Sequence, residues 1–200
     1  MFKFALLGTA LLAVPFAFRA AAVPAPDISL PTRAAQWKVD AGHSSVLFRV
    51  VHVVAPFWGR FDKLDGTVVW DAAQPEASSV ELTIDAMSVN TNDGKRDDHL
   101  RGPDFFSSKE FPKLTFKSTK VVSKGEGKLE ATGEFTMRGV TKTISVPIEP
   151  TGEGESPFKD TRAGFEATFL IRRSDYGVKA YIPTIADEVR IVVALECVKG

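Results

Sequence analysis

Apolar and polar residues alternate along much of this chain. Val80, Leu82 and Ile84 alternate with Glu81, Thr83 and Asp85. Leu129, Ala131, Gly133, Phe135 and Met137 alternate with Lys128, Glu130, Thr132, Glu134 and Thr136. Phe165, Ala167, Phe169 and Ile171 do the same, as do Val189, Ile191, Val193 and Leu195. A period of two means strands, because successive side chains point to opposite faces of a pleat. One apolar and one wet face per strand is the mark of antiparallel sheet. The pattern predicts strands near residues 36–41, 43–54, 58–71, 78–86, 113–122, 127–138, 141–149, 162–173 and 187–198. The fold class is all-β, a sandwich or a barrel with an apolar interior.

Turn signals separate the strands: Gly42, Pro56, Gln74-Pro75, Gly125-Glu126-Gly127, Gly139 and Gly152-Glu153-Gly154. Asp65-Gly66 falls inside a strand and predicts a bulge or sharp bend. Residues 92–101 break the alternation and are rich in helix formers. Asn92 or Asp93 can cap a short helix there, and Gly102-Pro103 stops it. Phe105, Phe106 and Phe111 follow. Aromatics in a loop need a packing surface, so they plug one end of a barrel or line an entrance.

The first residues read as a secretory signal peptide, residues 1–22. Lys3 gives a basic start, an apolar run follows to Phe18, and Ala20-Ala21-Ala22 offers a cleavage pattern. An uncleaved membrane anchor is the alternative. Pro24, Pro26 and Pro31 mark residues 23–35 as a flexible leader, and residues 36–200 as the folded domain. The expected location is periplasmic or secreted. The single cysteine, Cys197, allows no internal disulfide and continues an inward row, so a buried inert thiol is expected. Lys and Arg number 25 against 25 Asp and Glu. That balance argues against nucleic acid as a partner.

The sequence carries no catalytic or metal motif. His43, His52 and His99 lie far apart, without H-E-x-x-H or C-x-x-C. There is no G-x-S-x-G elbow and no phosphate-cradling loop. Asp97-Asp98 are neighbours on a helix and do not share a face. No cofactor, metal or catalytic residue is therefore expected.

The remaining question is what the interior holds. Small residues such as Ala131, Gly133 and Ala167 leave room for an apolar tunnel, or else face large residues in a filled core. Pattern alone leaves both open. Two polar residues interrupt the inward rows, His52 and Arg173. Arg173 is either pinned by Asp175 or Asp104, or forms with His52 a polar collar for a ligand head group.

Several ordered motifs resemble the YceI family of polyisoprenoid-binding, lipocalin-like barrels. They are Trp37-Lys38-Val39-Asp40, His43-Ser44-Ser45-Val46, Gly59-Arg60-Phe61, Arg96-Asp97-Asp98-His99-Leu100, Asp104-Phe105-Phe106, Phe111-Pro112, Gly133-Glu134-Phe135-Thr136 and Arg173-Ser174-Asp175-Tyr176-Gly177. The resemblance spans about Trp37 to Val198. It implies an extended antiparallel barrel of about eight strands, with one short helix and an aromatic loop near residues 93–112. It also implies non-enzymatic binding, transport or storage of a lipid. The ligand expected is an isoprenoid quinone, a polyprenol or a fatty-acid-derived amphiphile. The tunnel would be lined by Phe48, Val50, His52, Trp70, Leu82, Phe116, Ala131, Gly133, Phe135, Phe165, Ala167, Phe169 and Arg173, with Tyr176 near one end. Transient membrane contact and a homodimer fit this picture. A stress-protective or protein-interaction module with a filled core is the competing reading.

Overall fold

The structure, a computed structural model, describes residues 34–200. The expected signal peptide (1–22) lies outside the described residues, as does the leader (23–35) apart from Ala34 and Ala35. The strands are β1 (Ala35–Val39), β2 (Ser45–His52), β3 (Ala55–Phe61), β4 (Leu64–Trp70), β5 (Ser79–Asp85), β6 (Val89–Asn90), β7 (Lys113–Gly125), β8 (Lys128–Met137), β9 (Val140–Glu155), β10 (Thr161–Arg172) and β11 (Ile185–Lys199). Among the described residues one α-helix, α1 (Gly94–Arg101), stands between β6 and β7.

The strands β1, β4, β5, β7, β8, β9, β10 and β11 form an antiparallel ring that closes through a β1–β11 pairing. This is the expected barrel of eight strands with one helix. The other three strands continue members of the ring. Both β1 and β2 pair with β11, β3 pairs with β2 where β4 pairs with β1, and β6 pairs with β3. Three long ribbons are thus interrupted, at residues 40–44, 62–63 and 86–88. Short polar side chains make the breaks. Asp85 accepts a hydrogen bond from the Met87 amide at 2.9 Å, and the Ser88 hydroxyl accepts one from the Lys63 amide at 3.0 Å. The expected bulge at Asp65-Gly66 is absent. Gly66 stays in register with Leu82, and the break falls at Asp62-Lys63 instead.

Two-residue turns join β7 to β8 and β8 to β9. Glu126-Gly127 and Arg138-Gly139 all have positive φ, as turns of this type require. The expected turn at Gly152-Glu153-Gly154 is corrected. β9 runs on to Glu155, because Thr161–Gly164 of β10 supplies a ladder for it.

The core runs through Trp37, Phe48, Phe61, Leu82, Phe135 and Phe165. Cys197 is fully buried in it, and burial pushes its thiol up to about 11, so it stays protonated and inert. On the outer face, Arg162 holds the first ribbon break to the barrel. It binds Asp40 at 2.9 Å, Asp160 at 3.0 Å, and Glu196. The His43 hydrogen bond holds the Asp40 carboxyl below its ordinary value, and the Arg162 hydrogen bond does so for Asp160. A carboxyl lowered by folding stabilises the fold above its unfolded pKa. That stabilisation is lost as pH falls through the folded value. The melting temperature is therefore expected to hold from neutral pH to about pH 5 and to drop below about pH 4. Thermal melts of Arg162→Met should show a shallower drop. An equally steep drop would remove this cluster from the account.

The ladder is incomplete at two places: the β9–β10 pairing stops at Glu149 and Glu166, and a second gap follows β5. β5 pairs with β7 from Glu81 to Asp85, but β6 has no partner on that side. α1 and residues 102–112 fill this second gap.

Candidate functional site

The gap-filling segment is built by local capping. Asp93 accepts a hydrogen bond from the Arg96 amide at 3.0 Å and starts α1. Buried Asp97 accepts two hydrogen bonds from Thr91, at 2.8 Å from the amide and 2.5 Å from the hydroxyl. Asp98 is exposed and pairs with Arg101, so the two carboxylates face apart as expected. Arg101 also donates to the Met87 and Val89 carbonyls at 2.8 and 2.9 Å, which clamps α1 onto β6. The loop then folds back. Ser108 is buried against the Ala86 carbonyl, and the Phe106 ring meets Phe61 edge-on at 5.4 Å.

Behind this segment lies a cavity of about 650 Å³, in the range of small-molecule sites. Its walls are mostly apolar: Phe48, Val50, Phe57, Phe61, Leu100, Phe105, Phe106, Leu114, Phe135, Met137, Ile171, Val189 and Ile191. His52, Arg96, His99, Arg173 and Tyr181 supply the polar groups. A second void of about 110 Å³ lies deeper and is lined by Trp70, Leu82, Phe116, Phe165, Ala167 and Phe169, among others. Phe61, Leu114, Phe135 and Ile191 border both. They form a waist between an upper and a lower chamber.

Most expected lining residues surround one chamber or the other. Three do not, and the list is corrected there. Gly133 faces a strand rather than a void. A Cβ on it would meet the Lys117 carbonyl and lie 2.7 Å from the Ser118 Cα, where β7 shifts register. Ala131 packs with Val121 and Leu129 in the wall. Tyr176 is buried with its ring edge-on to Phe135 at 5.3 Å, outside both chambers.

Arg173 differs from both sequence expectations about its partner. It touches neither Asp175 nor Asp104. Its guanidinium donates to three backbone carbonyls: Ala186 at 2.9 Å, Val178 at 3.1 Å and Ile185 at 2.8 Å. Burial pushes its pKa down, partly offset by Asp187, yet an arginine stays charged. It therefore ties residues 178–186 over the barrel end and presents a cation to the upper chamber. His52 stands at the rim, in register with Ala55 and Ile185.

The sequence did not single out Arg96, His99 or Tyr181 as lining. Arg96 donates to Thr91 and lies 4.3 Å above the Phe57 ring. His99 meets Asp104 at 3.1 Å and packs edge-on against Phe105 and Tyr181. The signal was the unpatterned, aromatic stretch after Asn92, which both plugs and lines the mouth. Asp40, His43 and Glu196 converge closely enough to hold a metal. Arg162 already binds the two carboxylates, so its charge occupies the place a cation would take.

Residues 37–197 match the YceI-like domain model. The chain belongs to this family. Protein YceI of Escherichia coli O157:H7 is 37% identical over 169 residues, covering 83% of this chain and 88% of that protein. Among solved structures, Burkholderia cenocepacia BcnA matches with a TM-score of 0.74 at 29% identity, covering 79% of this chain and 98% of BcnA. The Campylobacter jejuni YceI protein matches with a TM-score of 0.65 at 30% identity, covering 71% and 84%. A polyisoprenoid binding domain from Saccharophagus degradans shares the fold, with a TM-score of 0.63 at 18% identity over 84% of this chain and all of that one. The YceI motifs read from the sequence fall in this structure on β1 and the break that follows it, on β3, on α1, on the aromatic loop, on β8 and on the turn after β10.

Proposed function

We propose that this YceI-family chain binds a long-chain lipid in its barrel and carries or stores it without chemical change. The observation that carries the reading is the upper chamber, an apolar void of about 650 Å³ with its few polar groups at the mouth. An isoprenoid quinone, a polyprenol or a fatty-acid-derived amphiphile fits that division, with tail inside and head at the rim. The name of the Saccharophagus degradans domain is in keeping with an isoprenoid ligand. Each methylene moved from water into such a void contributes about 0.8 kcal/mol, so a long tail needs few polar contacts. A location outside the cytoplasm, reached through residues 1–22, completes the proposal.

Native mass spectrometry of the purified protein tests it. The expected spectrum shows a bound species whose mass after solvent extraction is that of a lipid. A protein that stays empty, and takes up no quinone, polyprenol or fatty amide when offered them, would refute the reading. A filled-core module predicts no saturable site for an apolar dye, and the upper chamber argues against it.

A further inference from the structure

The outer face of the barrel beside the mouth carries an unusual row. Trp58, Arg49, Arg190 and Leu170 are cross-strand neighbours on β3, β2, β11 and β10. Trp58 is 48% exposed and Leu170 52%. Arg49 and Arg190 stand directly opposite each other, where like charges repel. Neither has an ion pair or a side-chain hydrogen bond among the described residues. The other seven arginines among the described residues, 60, 96, 101, 138, 162, 172 and 173, all have partners. Glu188 is the nearest acid on this face, opposite Arg172, which is bound to Asp187. Toward the mouth the same flank is apolar. Val51 sits opposite Pro56, and Val53 and Val54 form the hairpin tip at 61% and 90% exposure. The Val53 amide donates to the Thr184 carbonyl at 2.8 Å, which places the tip beside exposed Tyr181 and Ile182.

We infer that this flank docks the protein on an anionic lipid bilayer, with the Val53-Val54 tip inserted and Arg49 and Arg190 on headgroup phosphates. The inference rests on the lipid-binding reading for its purpose, since the rim that docks is the rim of the upper chamber. The chemistry is separate. Trp58 lies four residues from the tip, roughly 13 Å at the rise of a strand, which suits an aromatic at headgroup depth. Two arginines that repel each other without a partner are relieved by phosphate oxygens, which their forked donors match. A second copy of the chain is a poor occupant, because a two-fold pairing of this flank brings four unpaired arginines together.

Vesicle flotation with the exported protein, free of residues 1–22, tests the inference, using phosphatidylcholine with and without phosphatidylglycerol. Binding is expected only with phosphatidylglycerol and should weaken with salt. Arg49→Gln with Arg190→Gln should reduce partitioning about 30-fold. Val54→Asp should reduce it by a similar factor. Uptake of a fluorescent fatty acid from cyclodextrin, with no vesicle present, should stay unchanged in all variants. Equal partitioning of variants and parent, or of neutral and anionic vesicles, would overturn the docking. So would a dimer that Val54→Asp dissolves in a protein that never floats. Flotation without cyclodextrin uptake would keep the docking and remove the lipid-carrier reading instead.

Discussion

Replacing Arg173 by Met is expected to lower stability by about 3–5 kcal/mol and to weaken every ligand together. The change strands three carbonyls, that of Val178 buried and those of Ile185 and Ala186 partly so. Each acceptor left dry costs about 1–3 kcal/mol, discounted where water enters from the mouth. For a domain of this size the melting point should fall by roughly 10 °C. Residues 178–186 then lose their tie, and the mouth loses its shape. Arg173→Lys should rescue little, because a single ammonium cannot span three carbonyls. Matched titrations with a fatty amide and a bare alkane decide the role. Parallel losses identify a scaffold. A loss confined to the fatty amide, with melting unchanged, would show that Arg173 instead holds the head group.

The second large effect concerns the waist. Affinity for a series of fatty alcohols should rise with length while carbons fill the upper chamber, then level off. Each methylene within the rising range contributes about 0.8 kcal/mol, or roughly fourfold. Ile191→Ala opens the partition between the chambers and should move the plateau to longer chains. Its cost in stability should sit near the low end for such truncations, about 2 kcal/mol, because Ile191 already borders empty space on both sides. Ala167→Phe fills the lower chamber and should cancel the extension without touching shorter ligands. An unchanged plateau in Ile191→Ala would mean that the two chambers never act as one.

Parity made the barrel legible. Rows such as Phe165, Ala167 and Phe169 announce which face is inside, and the structure puts all three on the lower chamber. Parity does not say what lies across from a residue. Gly133 belongs to an inward row, yet β7 crosses so closely there that no side chain has room. The same limit hid the ribbon breaks. Asp62-Lys63 looks no more like an interruption than Asp65-Gly66 does, and the choice is made by Ser88 on a neighbouring ribbon. Arg96 and His99 were hidden for another reason. They reach the chamber from a helix without an apolar stripe, so no periodicity marks them. Tyr176 was read from a motif, and a motif fixes a turn without fixing where its ring packs.

The unsewn seam between β6 and β7 bears on how fast a ligand exchanges. Around most of the ring, parting two strands means breaking a run of backbone hydrogen bonds at once; β9 and β10, paired only as far as Glu149 and Glu166, are the other exception. At the seam the wall is α1 and its aromatic loop, held largely by side chains such as Arg101 and Ser108. Local opening there disrupts few amides, so its free energy falls well below that of global unfolding. The barrel can release its contents with every ladder intact, and amide protons in β8–β10 should stay protected through many cycles of loading and unloading.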